Sequence, residues 1–374
     1  QTIKKDKVSD RLLIEIKNYP QEHHRISILF RDQFDVRELD RSLYERKADL
    51  RQRAYEVITK LQQHATQSQA NVMQLLRQEA NVEQDNIHSF WISNLIFASA
   101  KYDVVAKLSQ LPEVAWLDLN GILESSNVER VPAPPTAPVE PQGIEPGLAA
   151  INAPALWKMG YTGYGCVTFA NDTGVDPTHP SISSKWRGCY APASESWFQY
   201  NSSNTNPFDC GSHGTHTLGT MVGLDRTTND TIGVAFNALW VGAPILCGLG
   251  TEDNVAAFEW ALDPDNNPET IVDMPDVINN SWFDPNVQNE CNNVYNKVLD
   301  ALEAAGVAVI FSAGNAGPEP STITPPHNIN TDELNSFTVG ALNGNSSALN
   351  IADFSSRGPA KCTNENEAIY IKPE

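Results

Sequence analysis

The sequence predicts an α/β protein, a doubly wound parallel sheet preceded by a small α+β unit, and three observations carry that prediction. Beyond residue 147, short apolar runs at 167–170, 239–245, 277–280, 307–311 and 337–340 each end in small or polar residues, as buried parallel strands do. Helical patterns at 254–261 and 292–305 fall between some of them, which is what βαβ connections require. Before residue 131, strand-like and helix-like segments follow in the order β, α, β, α, β, suiting a ferredoxin-like antiparallel sheet with helices on one face.

In the first unit, residues 25–31 (RISILFR) read as a strand and 88–100 (HSFWISNLIFASA) as a longer one. Between them Val36, Leu39, Leu43, Leu50, Val57, Ile58, Leu61, Val72, Leu75 and Leu76 recur at helical spacing among Arg, Glu, Gln and Lys, so one face packs and the other is wet. Tyr102–Gln110 predicts a second helix, stopped ahead of Pro112, and 113–119 (EVAWLDL) a closing strand. Residues 131–147 (VPAPPTAPVEPQGIEPG) hold six prolines and read as an extended, semi-rigid linker. The organisation is therefore 1–130, a linker at 131–147, and 148–374.

Charge and cysteine usage change at the same boundary. Net charge is −20, yet residues 1–130 hold 18 Lys+Arg against 19 Asp+Glu, leaving 8 against 27 beyond. So acidic a second half repels nucleic acid and anionic membranes, and neither is an expected partner. No run approaches the ~20 apolar residues of a membrane helix, so a soluble protein is expected, with Gln1 numbered after removal of a signal segment. All six cysteines fall after residue 147, without the C-x-x-C pairs of structural zinc. An extracellular setting would oxidise some of them, and Cys189 with Cys210 is the expected pair.

Three polar residues stand at predicted strand ends or beside one. Asp172 follows the run 167–170, His213 opens HGTH ahead of the small residues of 217–222, and Asn315 follows the run 307–311. Alone each is ordinary: a strand-terminal Asp makes turns, two histidines three apart suggest a metal without further ligands, and Gly-Asn is a turn. Together a carboxylate, an imidazole and an amide donor appear in the chain order Asp, His, Asn. In that company VTFANDTGVDPTHP, SHGTHTLGTMVG, DVINNSW, FSAGNAGP and DFSSRGP resemble the subtilisin-like serine proteases, and among them the bacillopeptidase F type. Residues 1–130, through SFWISNLIFASA and LPEVAWLDLN, resemble the propeptide of that group.

The resemblance implies a secreted endopeptidase in zymogen form. Asp172 would orient the imidazole, His213 would act as general base and acid, and Asn315 would bind the oxyanion, with Ser281, Trp282, Phe283 and Gly314 lining the substrate groove. Residues 1–130 would act as intramolecular inhibitor of an enzyme cleaving proteins or peptides. The family's nucleophilic serine, in a G-T-S-M motif, is expected beyond this chain, leaving the catalytic fold incomplete at its C-terminal side and the serine on a separate C-terminal fragment or an omitted segment. A non-catalytic binding or assembly component of the same fold is the alternative. No cofactor is required by the chemistry, although the family often binds calcium, and 225–231 (DRTTNDT) has suitable oxygens. Asn171, Phe236 and Phe283 depart from the usual residues. Phe283 is expected to crowd the groove that receives the P1 side chain, and Asn171 to alter the hydrogen bonding of Asp172. Sequons occur at Asn201, Asn229, Asn279 and Asn345.

Overall fold

The computed structural model describes residues 2–125, 143–248, 250–287, 294–329, 337–343, 348–360 and 372–373. Most of the predicted linker, Cys291, Cys362 and the sequon at Asn345 lie outside them.

The first unit begins with α1 (Asp10–Asn18), a helix the sequence reading did not assign, started by Ser9, whose hydroxyl accepts from Leu12 N. Then come β1 (His24–Phe30), α2 (Val36–Glu45), α3 (Leu50–Ser68), α4 (Ala70–Gln78), β2 (His88–Phe90), β3 (Leu95–Ala100), α5 (Tyr102–Gln110), β4 (Val114–Leu119) and the short β5 (Glu124–Ser125). Strands β2-β3-β1-β4 form the antiparallel sheet, with Ile28 opposite both Ile96 and Leu117. The long helical stretch is three helices, because Asp35 and Asp49 each cap a new start and Gln69 ends α3. The strand predicted over 88–100 is likewise two strands parted by a turn at 91–94, where Asn94 adopts φ +43°.

After α6 (Pro146–Ala150) and α7 (Ala153–Lys158), the second unit runs β6 (Val167–Asp172), α8 (His213–Val222), the hairpin β7 (Leu224–Asp225) and β8 (Asp230–Thr231), β9 (Leu239–Pro244), α9 (Thr251–Leu262), β10 (Val277–Asn280), β11 (Trp282–Phe283), α10 (Val294–Ala305), β12 (Ala308–Ser312) and β13 (Phe337–Val339). Its sheet is parallel, in the order β13-β12-β10-β6-β9. Alternation along β6 decides what each residue meets. Phe169 packs in the cluster containing α9 and α10, whereas Ala170 packs with Leu218 and Val222 of α8 on the opposite face. Because β6 leads outward to β9 while β10 lies on its other side, the sheet reverses winding between β6 and β10, where ligand crevices open in such folds.

Helices do not keep to one face of the first sheet. Helices α1, α4 and α5 bury Ile26, Ile28, Ile96 and Ala98. Leu95 and Phe97, pointing the other way, join α2, α3, α9, α10 and the parallel sheet in a single apolar cluster. A charge pair reinforces that joint, since the Arg37 guanidinium grips both Asp300 oxygens, at 3.1 and 3.2 Å.

Among the described residues a disulfide joins Cys210 to Cys247, with Cα atoms 5.9 Å apart, and not Cys189 to Cys210. Both partners converge on one carbonyl: Cys210 N–H donates to Thr173 O at 3.1 Å and Cys247 Sγ lies 3.3 Å from the same oxygen. Cys189, in a separate turn, is free and exposed, as is Cys166.

Candidate active site

Asp172 is the last residue of β6 and is fully buried. By the strand's alternation it faces α8, and His213 is that helix's first residue. Asp172 Oδ1 lies 2.6 Å from His213 Nδ1 and accepts Thr173 N–H at 2.7 Å, while Oδ2 accepts Thr217 Oγ1 at 3.4 Å. A carboxylate is an acceptor only, so Nδ1 carries the proton and Nε2 keeps its lone pair. The half-exposed ring is thereby fixed in the tautomer that can take a proton from an incoming group.

Asn171 does not bond to Asp172. Its side chain faces the other side of the sheet, donating to Asn254 Oδ1 at 2.9 Å and Asn280 Oδ1 at 3.1 Å. Phe236 stacks edge-on to Trp157, a packing role.

The neighbouring strand ends bring up the remaining predicted residues. Ser281 and β11 follow β10, and Gly314 and Asn315 follow β12. Gly314 has φ +95°, and an added Cβ would sit 2.9 Å from Ser356 Oγ, so glycine is required there. Ser356 N–H donates to Gly314 O at 2.9 Å and Ser356 Oγ accepts Ala316 N–H at 3.0 Å, holding the half-buried Asn315 between two anchored residues. The Trp282 side chain is fully buried against Phe258, Tyr295 and Phe311, which leaves only its backbone to face a substrate. Its carbonyl is held by Nε2 of His327, a buried ring against Phe311 whose pKa burial lowers to about 4, so this histidine is neutral and donates.

Phe283 is half-buried, and β11 has a strand partner. Glu124 lies opposite Phe283 and Ser125 opposite Trp282 in an antiparallel ladder. The approach to β5 is pinned on the N-terminus of α9, where Thr251 N–H donates to Gly121 O at 2.9 Å and Glu252 N–H to Asn120 Oδ1 at 3.0 Å. The Glu252 carboxylate in turn meets Arg25 Nε at 2.7 Å, His88 Nδ1 at 2.7 Å and Tyr200 OH at 2.6 Å. Two turns on, Glu259 Oε2 accepts Trp91 N–H at 2.6 Å and Ile92 N–H at 3.0 Å, and burial of the carboxyl pushes its pKa up to about 8. Glu252, Glu259 and His327 were missed in the sequence, although a carboxylate inside the apolar run VAAFEWAL was the available signal for Glu259.

In the hairpin at 225–231, Asp225 Oδ1 accepts Thr227 N–H at 2.7 Å, which is a turn-forming use of that carboxylate. Among the described residues no group of three or more His, Cys, Asp or Glu could hold a metal ion, and no helix is long and apolar enough to cross a membrane.

With this geometry in hand, the model of the Subtilase family matches residues 170–370. The chain belongs to the subtilase family. This subtilase is 32% identical over 324 residues to bacillopeptidase F of Bacillus subtilis (strain 168), covering 81% of the present chain and 22% of that protein. Subtilisin of Bacillus pumilus is 31% identical over 221 residues, covering 58% of this chain and 70% of its own, and subtilisin E of Bacillus subtilis (strain 168) is 30% identical, covering 58% and 50%. The subtilase thus spans under a quarter of bacillopeptidase F and half of subtilisin E. Its fold is similar to fervidolysin from Fervidobacterium pennivorans, with a TM-score of 0.52 at 18% identity over 90% of this chain and 46% of that one.

Proposed function

We propose that this subtilase is the N-terminal portion of a secreted serine endopeptidase in zymogen form. Asp172 and His213 are two members of its triad, the nucleophilic serine is supplied by polypeptide outside residues 1–374, and Asn315 donates to the oxyanion. Residues 1–130 form the inhibitory propeptide and 131–147 the linker that is processed. The observation that carries the reading is the 2.6 Å contact between buried Asp172 and His213 Nδ1 at the mouth of the parallel sheet.

In the reaction, His213 Nε2 takes the serine proton as the hydroxyl attacks the peptide carbonyl, Asp172 stabilises the resulting imidazolium, and the proton passes to the leaving amine. The pairing of Glu124 with Phe283 supports the inhibitory role, because an extended segment added to β11 occupies the edge on which a substrate strand would lie.

Denaturing mass spectrometry of the full-length protein after exposure to a fluorophosphonate, which labels activated serines, tests the proposal. A labelled serine on polypeptide continuous or co-purifying with this chain is expected. Absence of label from every polypeptide, after removal of residues 1–130, would overturn it.

A further inference from the structure

We infer that Asp209 is a positioning residue for His213, tying the turn after Asp172 and the first turn of α8 into one hydrogen-bonded unit. The inference rests on reading Asp172 and His213 as a catalytic pair and adds a residue outside it. Asp209 Oδ1 accepts Thr173 Oγ1 at 2.8 Å and the backbone N–H groups of Gly211 and Ser212, each at 2.9 Å. Its Oδ2 accepts Thr215 N–H at 2.9 Å and Thr215 Oγ1 at 2.5 Å. Thr173 follows Asp172 in the chain and Ser212 precedes His213. Thr173 Oγ1, having donated to Asp209, also accepts Gly214 N–H at 2.8 Å, so both chain neighbours of His213 are tied to it or to Asp209.

The local backbone explains the need. Ser212, at the N-cap of α8, has φ +65° and its side chain caps nothing. A left-handed serine persists only where its surroundings fix it, and a helix's first N–H groups need acceptors from outside. Asp209 supplies both, and its charge suits the positive end of the helix. The segments are also in hard contact: an added Cβ on Gly214 would fall 2.0 Å from Gly174 O, and one on Gly174 would fall 2.1 Å from Phe208 O. Movement of the 208–212 segment is therefore passed directly to the Asp172 turn and to His213.

Proton NMR of the chain with labelled histidine reads the consequence, through the downfield proton shared by His213 and Asp172 and through the titration of the His213 ring. Asp209→Ala is expected to broaden or abolish that resonance and to move the ring's titration to lower pH, because a neighbouring carboxylate is lost. Asp209→Asn should fall between, since the amide oxygen serves one set of donors while its NH₂ opposes the other. Should Asp209→Ala fail to fold, Thr215→Val, which removes one hydroxyl arm, should give the same shift in weaker form. Variants that lower Tm yet leave both signals at wild-type values would overturn the inference and reduce Asp209 to a structural role. The signals need no serine, so an unlabelled protein in the fluorophosphonate test, with Asp209 still governing His213, would sink the protease reading alone.

Discussion

Glu259 holds Trp91 across the boundary between the two units, its Oε2 accepting the backbone N–H at 2.6 Å from a half-buried position on α9. The same oxygen accepts Ile92 N–H, so one carboxylate fixes the turn that divides β2 from β3. Burial raises its pKa from an ordinary value near 4.5 to about 8. A raised carboxyl pKa means the docked state binds the proton more tightly. The stabilisation is full below about pH 4.5 and is lost as pH rises through about 8. Urea midpoints recorded from pH 5 to 9 should fall with rising pH in the wild type, and Glu259→Gln should flatten that slope. A slope unchanged in the variant would remove Glu259 as its source.

Arg25 neutralises Glu252, whose side chain is only 4% exposed. Removing the arginine leaves a buried carboxylate with His88 and Tyr200 as its remaining polar side-chain company, and such stranding costs about 3–5 kcal/mol. Arg25→Ala should therefore destabilise the chain by roughly that amount in urea denaturation. Pairing it with Glu252→Gln should recover a large part, because the uncompensated charge is gone. Strictly additive single and double variants would show that the two residues do not act together.

Asp172→Asn exchanges an acceptor for a group that also donates, and lets the imidazole settle with its proton on the wrong nitrogen. With the serine-bearing polypeptide present, turnover of a peptide substrate should fall about 10⁴-fold while KM changes little, the size of this change in an Asp-His-Ser triad on another fold. A loss below tenfold would mean that Asp172 does not govern the tautomer.

Reduction of Cys210–Cys247 opens a loop of sequence separation 37, worth roughly 3–4 kcal/mol by loop-closure entropy. Thermal melts with and without reductant should differ by several degrees, and Cys189→Ser should leave that difference untouched because Cys189 takes no part. Loss of the difference in Cys189→Ser would reinstate the pairing expected from sequence.

Much of this was legible in the sequence, for a physical reason. Tyr102–Gln110 and Val277–Asn280 have the bounds their periodicity and terminators imply. The meeting of Asp172 with His213 was legible because a parallel strand delivers its last polar residue to the carboxyl edge of the sheet. What stayed hidden depends on contacts distant in sequence. Trp282 reads as part of a groove motif, but Phe258 and Tyr295 decide that it turns inward. The partner of Cys210 is set by two loops returning to Thr173, which no spacing encodes. The turn at 91–94 interrupts an apolar run because Glu259, far along the chain, supplies its acceptor.

The ladder between Glu124 and Phe283 also sets terms for any rival. Because β5 belongs to the same polypeptide as β11, it occupies that edge at an effective concentration on the order of millimolar, independent of how dilute the protein is. A peptide arriving from solution must outcompete that local excess, and dilution gives it no advantage. A single cut between residues 125 and 143 changes the arithmetic, since β5 then stays only by its own contacts and those of the sheet behind it. From then on, the apolar joint around Leu95 and Phe97 and the ion pairs that cross it decide how long the edge stays covered.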